Sequence, residues 1–467
     1  MKMRNRLPVT LGAGVLTVGL LVLGAMPAGT GVGAVAAKAR TTAVARPFAK
    51  VLSNVAFAQA PTTSECVSEL GIACYRPAQI RTAYNMGPLY SAGDTGTGET
   101  IALIDSYGSP TIASDLATFD STFHIQAPPS FTIIQPAGTV PPFNANNATM
   151  VGWAEETSLD VEYSHAMAPG ANILLVETPV AESIGVAGFP QIVEAENYVI
   201  NNNLASVISQ SFGAAEQTFP SAQSLLNLRS AYVNAQAHNV TVLASAGDDG
   251  STSGDNDAGT SYYDYRVINW PASDPLVTAM GGTQLHLNAV GDQVAAPNVW
   301  NDTNLLGSPA AGSGGTSSIF GRPSWQDAEK NVVGNRRGMP DLSMSAAVDG
   351  GVLVYLGFGG IPPGFYVFGG TSEASPEFSG VVAIADQVAG HHLGFLNPAL
   401  YTLEAAGAPG IPDVTTGNNT VSFTGADGKS VTVPGYVAGP GYDLASGLGT
   451  INGAALVAEL AGAPSGS

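Results

Sequence analysis

Short apolar runs alternate with amphipathic stretches along the first half of the chain. The runs are rich in Val, Ile and Ala, which is typical of strands buried on both faces of a parallel sheet. They lie at residues 100–106, 171–178, 204–212 and 240–248. Stretches with helical spacing lie between them, at residues 155–167, 191–201 and 221–238. This alternation predicts βαβ units with right-handed crossovers, and therefore an α/β fold with a central, mostly parallel sheet.

The first 36 residues have the pattern of a secretion signal. Three basic residues precede an apolar stretch at residues 11–26, and small residues suited to cleavage follow at 34–36 and again at 58–60. A retained membrane anchor is the alternative, but the glycines and proline of residues 24–33 disfavour a long spanning helix. We expect export, signal cleavage and a secreted, extracellular protein without stable membrane association.

Acidic residues dominate the charge of the chain. Among 467 residues, 16 are Lys or Arg and 36 are Asp or Glu, a formal net charge of -20. Seven basic residues and no acidic ones lie in the first 50 positions. Because nucleic acids are bound through Lys and Arg contacts to phosphate, this balance argues against a nucleic-acid partner. Self-repulsion in so acidic a body is relieved by acid, which suggests an acidic working environment, although simple solubility explains the charge equally well.

The chain has two cysteines, Cys66 and Cys74. They lie close together and beyond the expected signal, and an exported protein meets an oxidising environment. We therefore predict one small disulfide between them.

A candidate nucleophile, Ser372, stands at the start of a predicted helix. The Gly-Gly-Thr string at 369–371 suits a tight turn, and an apolar run at 378–390 continues as a helix. A serine in this place lies at the positive end of the helix dipole with backbone N–H groups nearby, which suits a nucleophile beside an oxyanion site. A simple helix cap is the competing interpretation.

Three carboxyl groups are candidate partners. Glu156 and Asp160 lie four residues apart on one face of a predicted helix, so burial would leave one of them protonated. Glu155 competes with Glu156 but faces a different side of the helix from Asp160. Asp248 ends a predicted strand, where a protonated acid can donate to a developing oxyanion. Each pattern alone also fits a solvated helix face or an ordinary turn.

Together and in this order, these segments resemble the sedolisins, the serine-carboxyl peptidases, which have a subtilisin-like fold and act at low pH. The Gly-Thr-Ser-x-x-x-Pro string at 370–376 is the family's nucleophile signature, and the Glu-x-x-x-Asp helix at 156–160 is its partner signature. Further matching segments lie at residues 207–213, 271–283, 314–326, 337–346 and 441–450. The resemblance covers about residues 74–460 and implies a three-layer α/β fold with helices on both sides of the sheet.

The resemblance implies a role for each candidate. Ser372 is the nucleophile, Glu156 is the general base and then the acid for the leaving amine, and Asp160 orients Glu156. Asp248 is the oxyanion donor. Asp105 stands where many members have a glutamate hydrogen-bonded to the pair, which is a modest departure. A glutamate base in place of histidine moves the working pH down, because their unperturbed pKa values are about 4.3 and 6.5.

The resemblance also implies a substrate-binding edge at Ser211, Phe212 and Gly213. An extended peptide would pair with this edge by strand addition. The side-chain pockets cannot be predicted from spacing.

Two loops near the C-terminus suit a hard cation. By resemblance they bind one structural calcium ion through the side chains of Asp413 and Asp443 and the carbonyl groups of Val414, Gly439 and Gly441. Two unrelated turns are the alternative.

A classical subtilisin with an Asp-His-Ser triad is the nearest alternative enzyme. It needs a histidine in a His-Gly-Thr motif on the helix after the first strand, and the only candidate, His165, lacks that motif. The strand-end asparagine of a subtilisin is here Asp248. We therefore disfavour this alternative and expect His165 to be a packed helix residue.

We expect residues 66–460 to form the catalytic domain, residues 37–65 a short propeptide or linker, and residues 461–467 a flexible tail. The family usually carries a large N-terminal prodomain, but only about thirty residues separate the expected signal from Cys66, too few for a domain with its own core. Either the propeptide is vestigial or this member folds without one, so the resemblance does not support self-activation. The expected protein is a secreted, monomeric endopeptidase that acts on polypeptides at acid pH. The rival hypothesis is a non-catalytic exported binding or surface protein that keeps the fold.

Overall fold

The structure, a computed structural model, describes residues 42–52, 55–256 and 259–462. These residues belong to one compact unit, Arg40–Ser467. The predicted signal at residues 1–36, and residues 463–467 of the predicted tail, lie outside the described residues. Within the part of the chain that the structure describes, every helix is too short or too polar to cross a bilayer.

Polar residues cap several of the helices. Thr62 accepts a hydrogen bond from the Glu65 N–H at the start of the first helix, and Asn147 caps the helix that carries Glu156. In chain order the helices are α1 Thr63–Leu70, α2 Pro77–Ala83, α3 Gly87–Ala92, α4 Ile112–Phe123, α5 Ala148–Met167, α6 Phe189–Asn201, α7 Ala222–Leu226, α8 Ser230–Ala237, α9 Thr303–Leu306, α10 Lys330–Val333, α11 Thr371–Ala389, α12 Asn397–Ala405 and α13 Gly453–Gly462.

The strands form one large sheet and several small ones. In chain order they are β1 Ala43–Val44, β2 Arg46–Pro47, β3 Lys50–Val51, β4 Cys74–Tyr75, β5 Thr100–Ser106, β6 Phe131–Ile134, β7 Asn172–Thr178, β8 Glu182–Ser183, β9 Val186–Ala187, β10 Val207–Gln210, β11 Phe212–Ala215, β12 Thr241–Ser245, β13 Asn269–Trp270, β14 Thr278–Gln284, β15 Asn298–Val299, β16 Gly315–Gly321, β17 Arg336–Met339, β18 Leu342–Ser345, β19 Gly351–Leu356, β20 Gly364–Gly369, β21 Val421–Thr424 and β22 Ser430–Val433.

The large sheet has eight strands and confirms the predicted α/β class. Its order is β15-β14-β12-β10-β5-β7-β6, and β18 pairs with β14 as well. Neighbouring strands are parallel except at β15, which runs antiparallel to β14. Parallel neighbours need long crossover connections, which the helices supply.

The sheet lies between two layers of helices, as predicted. Leu103 of β5 belongs to the apolar cluster that α5 and α11 share, and Ile104 belongs to the cluster that α6 and α8 share. On the first face α11 packs directly against α5, and Gly380 makes this close approach possible. A Cβ on Gly380 would lie 2.6 Å from the Cβ of Met167.

Two predicted elements are divided in the structure. The apolar run at 204–212 was predicted as one strand, but the chain leaves the large sheet after β10, and β11 pairs instead with β13 and β2. The predicted helix at 221–238 is interrupted between α7 and α8. There Arg229 bonds both carboxylate oxygens of Asp274, at 2.5 and 2.8 Å, which holds the turn.

The predicted disulfide between Cys66 and Cys74 is confirmed. It joins α1 to β4, which pairs in turn with β19. The bond therefore ties the first helix to a sheet that ends beside the candidate nucleophile.

Buried carboxyl groups occur well away from the candidate site. Glu196 on α6 is fully buried, and among the described residues neither of its carboxylate oxygens has a hydrogen-bond partner. Burial raises the pKa of Glu196 well above its usual value, and this group faces Tyr232 of α8. Glu194, on the same helix, is exposed.

We predict that the free energy of unfolding falls as the pH rises from 5 to 8. A carboxyl whose pKa is higher in the folded state stabilises the fold below its unfolded pKa, and this contribution is lost as the pH rises through the folded pKa. Denaturant titrations at several pH values would measure the trend. Glu196→Gln should reduce the slope of the free energy of unfolding against pH by up to about 1.4 kcal/mol per pH unit, the value for one proton. The matched variant Glu194→Gln should leave it unchanged. A wild-type maximum near pH 7 would contradict the prediction.

Candidate active site

Two packed helices and one strand end bring the four predicted catalytic residues into one region. Ser372 lies in the first turn of α11, and Glu156 and Asp160 lie on the facing helix α5. Asp248 follows the end of β12, beside the start of α11. All four side chains are buried, so the groups act on one another with little screening by water.

The position of Ser372 depends on the turn before it. Gly370 has φ 106° and ψ 158°, a conformation that is essentially restricted to glycine. A Cβ at this position would also contact the free carboxylate oxygen of Asp248. The Ser372 Oγ donates to the Ser211 carbonyl at 3.3 Å and also lies within hydrogen-bonding reach of Glu156.

Glu156 accepts hydrogen bonds from two backbone N–H groups. Its Oε2 lies 2.9 Å from the nitrogen of Phe48 and 2.8 Å from the nitrogen of Ala49. Burial raises the pKa of Glu156 well above its usual value, and the charge of Asp105 raises it further. The bond with Ser372 and the backbone bond from Ala49 act in the opposite direction, because they favour the ionised form.

Glu156 belongs to a group of three buried carboxyls, together with Asp160 and Asp105. Asp160 accepts a hydrogen bond from the Ser211 hydroxyl at 2.7 Å. Burial raises the pKa of Asp160, with smaller contributions from the charges of Asp105 and Glu156. Burial also raises the pKa of Asp105 to about 8. Since like charges in a buried cluster disfavour one another, the three groups do not all ionise at acid pH.

Asp248 presents one bonded oxygen and one free oxygen. Its Oδ1 accepts from the Thr371 N–H at 2.7 Å and from the Thr371 hydroxyl at 2.8 Å. Its Oδ2 has no hydrogen-bond partner among the described residues. Burial raises the pKa of Asp248 to about 7, although the charge of Lys50 opposes the rise. A protonated Oδ2 would therefore be a donor beside the nucleophile.

The residues of the alternative assignments lie elsewhere. His165 is buried on α5, where its Nε2 lies 3.0 Å from the Gln126 carbonyl and 3.2 Å from Asp120. It is therefore a packed helix residue, as expected. Glu155 is only partly buried and has no hydrogen bond to Ser372, whereas Glu156 is fully buried and faces it.

The predicted substrate-binding edge follows the point where the chain leaves the large sheet. Ser211 bonds both Asp160 and Ser372, through its hydroxyl and its carbonyl. The Phe212 ring packs inward between Trp153 and Phe189, at centroid distances of 5.9 and 6.2 Å. At this edge a peptide would therefore contact the backbone of Phe212 and Gly213, because the Phe212 side chain points into the core.

Residues 42–52, which we call the strap, lie along this edge, and sequence reasoning missed their position. They were predicted as part of a propeptide or linker at 37–65. In the structure β2 pairs antiparallel with β11, and β3 pairs antiparallel with β20, which leads into the nucleophile turn. A signal was present in the sequence, because the strap carries two basic residues and no acidic ones in a chain rich in acidic residues.

The two loops predicted to hold calcium are linked by hydrogen bonds. The Gly441 N–H donates to Asp413 at 2.8 Å, and the Gly439 N–H donates to Asp443 at 3.0 Å. The Ser446 hydroxyl bridges Asp443 and the Val414 carbonyl. Two carboxylates and the Val414 carbonyl oxygen are thus linked in one network, and oxygen atoms of this kind are the ligands that calcium prefers. The described residues contain no cluster of three or more acidic, His or Cys side chains that could bind a metal without such carbonyls.

The chain is similar in sequence to known peptidases. No family model matches it. It is 34% identical to kumamolisin from Bacillus sp. strain MN-32, over 83% of this chain and 63% of that protein. It is 30% identical to sedolisin from Pseudomonas sp. strain 101, over 83% of this chain and 61% of that protein. The chain therefore spans less than two thirds of the length of these relatives.

A solved structure is similar over nearly its whole length. Pseudomonas sedolisin, a serine-carboxyl proteinase complexed with two molecules of pseudo-iodotyrostatin, matches 83% of this chain and 98% of its own. The TM-score is 0.68 and the sequence identity is 28%. The likeness confirms the predicted fold.

Proposed function

The chain belongs to the sedolisin family of serine-carboxyl peptidases, and we propose that it is a secreted endopeptidase that cleaves polypeptides at acid pH. One observation carries the proposal. The Ser372 hydroxyl lies within reach of Glu156, beside an Asp248 oxygen that has no partner among the described residues. These groups are suited to be a nucleophile, a base and an oxyanion donor.

The proposed first step is attack of the Ser372 Oγ on a substrate carbonyl carbon. Glu156 takes the hydroxyl proton, and protonated Asp248 donates a hydrogen bond to the oxyanion that forms. Asp160 and Asp105 help by staying protonated, because the buried cluster then holds a single negative charge on Glu156. The N–H groups of Phe48 and Ala49 donate hydrogen bonds to Glu156. These bonds favour the negative charge on Glu156 rather than on the neighbouring carboxyls.

In the second step Glu156 returns the proton to the leaving amine, and the C–N bond breaks. Water then attacks the acyl ester of Ser372, with Glu156 again as the base, and releases the carboxylic acid product. Asp160 positions Glu156 through the packing of α5 and holds Ser211 by its hydrogen bond.

The course of the strap supports endopeptidase action. The strap continues without a break on both sides of Ser372, and on its N-terminal side it extends back to β1, which pairs with β9. Residues 46–48 lie along the predicted substrate edge, and the chain continues beyond them to β1, so we infer that the cleft has no stop after the third residue. Export is supported by the N-terminal signal pattern in the sequence.

We propose further that Asp413, Asp443 and the carbonyl groups of Val414, Gly439 and Gly441 hold one calcium ion. Its charge would balance the two carboxylates and tie the loop at 413–414 to the loop at 439–443. The proposed contribution of the ion is to stability.

Replacing Glu156 should abolish most activity, while replacing its neighbour should not. Glu156→Gln removes the proposed base, and we expect kcat for casein hydrolysis at pH 4.5 to fall by roughly 10²–10⁴-fold. Glu155→Gln, the matched control, should leave kcat little changed because this side chain does not reach Ser372. The reverse outcome would mean that the helix register is wrong. Equal digestion by Ser372→Ala and the wild type would favour the non-catalytic binding protein.

Activity should be lost as the pH rises through about 7. Asp248 must be protonated to donate, and burial raises its pKa to about 7. Measuring kcat between pH 3 and 9 would test this. Asp248→Ala should lower kcat by roughly 10²–10³-fold. Asp248→Asn keeps a donor without a titrating proton, so its alkaline decline near pH 7 should disappear. An unchanged alkaline decline in Asp248→Asn would count against the role of Asp248.

Removal of calcium should lower thermal stability. We expect dialysis against a chelator to reduce the melting temperature and added calcium to restore it, with about one ion per chain by metal analysis. Asp443→Asn should lose this response. If chelation changed neither the melting temperature nor the metal content, the calcium proposal would fail.

A further inference from the structure

A group of aromatic and apolar side chains lies on the surface beside the cleft and takes no part in the proposed reaction. Three of its members come from the loop that follows Asp248 and Asp249, and three come from the β21–β22 hairpin and the residues after it. Tyr265 has 51% of its area exposed and Val437 has 73%. Large apolar side chains that are exposed next to one another indicate an interaction site. We call this group the aromatic surface: Tyr262, Tyr263, Tyr265, Phe423, Tyr436 and Val437.

Ring contacts join the loop to the hairpin. The ring centroid of Tyr262 lies 5.1 Å from that of Phe423, and the ring centroid of Tyr263 lies 5.2 Å from that of Tyr265. Phe423 packs in turn on the buried apolar cluster that contains Val421. The aromatic surface is therefore continuous and is supported from below by a core of its own.

Arg266 fixes the loop to the residues after the hairpin. Its side chain donates hydrogen bonds to the carbonyl groups of Pro434 and Gly435, at 2.6 and 2.9 Å. Its guanidinium carbon also lies 4.4 Å from the ring centroid of Tyr436. Aromatic side chains that are already held in place offer contact area at a low cost in conformational entropy, so this surface is suited to binding.

Tyr262 connects the aromatic surface to the cleft. It lines the same cavity as Asp248, Asp249 and Lys50. Burial raises the pKa of Tyr262, the charge of Asp249 raises it further and the charge of Lys50 lowers it, so both charged groups face the Tyr262 hydroxyl. A polypeptide that leaves the cleft beside Asp249 therefore meets Tyr262, with Phe423 directly behind it.

The chemistry of the aromatic surface fits apolar segments of an unfolded polypeptide. Its six side chains carry no charge at acid pH. Their apolar faces can contact apolar side chains, while the tyrosine hydroxyls can bond the polypeptide backbone. Many proteins lose their fixed tertiary packing in acid and expose hydrophobic surface. A peptidase that works at acid pH therefore meets such segments in its substrates.

We propose that the aromatic surface is a second substrate-binding site, which holds an apolar segment of an acid-unfolded polypeptide while another segment of the same polypeptide is cleaved at Ser372. The proposal rests on the proposed peptidase function and names a substrate class for it. Binding at one site makes binding at the other intramolecular, which raises the affinity for substrates long enough to reach both.

The first experiment compares three kinds of quenched fluorescent peptide at pH 4.5. One has about eight residues, which span at most about 28 Å when extended. The other two carry a further stretch of similar length, at either end, in which Phe and Ser or Gly and Ser alternate. We expect kcat/KM to be roughly two- to tenfold higher with the Phe stretch than with the Gly stretch, the value of one good aromatic contact. Equal values at both ends would overturn the proposal.

The second experiment removes exposed side chains from the aromatic surface. Tyr265→Ser combined with Val437→Ser should bring the ratio of kcat/KM between the Phe and Gly peptides close to one. Val290→Ser combined with Val294→Ser is the matched control, since each of these valines is 67% exposed and they lie in a turn that contacts α2. The control should keep the ratio. A ratio that persists in the first variant, or that is lost equally in the control, would overturn the proposal.

Binding measured without cleavage separates this proposal from the peptidase function. In the Ser372→Ala background, the substitutions Tyr265→Ser and Val437→Ser should raise Kd for the labelled Phe peptide by roughly two- to tenfold, as measured by fluorescence anisotropy. If this rise occurs but the wild type cleaves no peptide, the surface stands and the peptidase function falls. If the wild type cleaves the short peptide but Kd is unchanged, the surface falls and the peptidase function stands. A wild-type dimer that the two substitutions dissociate would assign the surface to a second copy of the chain and overturn the proposal.

Discussion

The arrangement of this site depends on carboxyl groups that are buried with almost no cations to balance them. Glu156, Asp160, Asp105 and Asp248 all lie out of contact with water. Burial raises the pKa of each, because the interior disfavours the charged form and each charge disfavours the next. The cluster therefore shares its protons, and acid is the condition in which one member can be charged while the others donate hydrogen bonds.

The close packing of α5 against α11 makes this cluster possible. The absence of a side chain at Gly380 lets the helices approach, and the conformation of Gly370 turns the chain so that Ser372 begins α11 beside Glu156. The apolar residues that surround these helices also keep water out. The same packing thus brings the reacting groups together and changes their protonation, so fold and chemistry have a common origin.

The strap supplies hydrogen-bond donors and one cation to this acidic region. Two of its N–H groups bond Glu156, and its lysine lies near Asp248 and Asp249. A strap of this kind stabilises the ionised groups of the site while it covers them. The contacts that stabilise the fold around the site are therefore the same ones that cover the cleft.

Sequence patterns determined the α/β class, the disulfide and the candidate site residues, because these depend on local spacing or on a short motif. The four-residue spacing of Glu156 and Asp160 already places both on one helix face, and a turn before an apolar helix already places Ser372 at the start of that helix. Only the tertiary structure decided where the strap lies, since its contacts with Glu156 join residues more than 100 positions apart and follow no local period. The division of the run at 204–212 into β10 and β11 was likewise visible only in the tertiary structure. The run is apolar throughout, and the point where the chain leaves the large sheet is determined by which strands lie beside it.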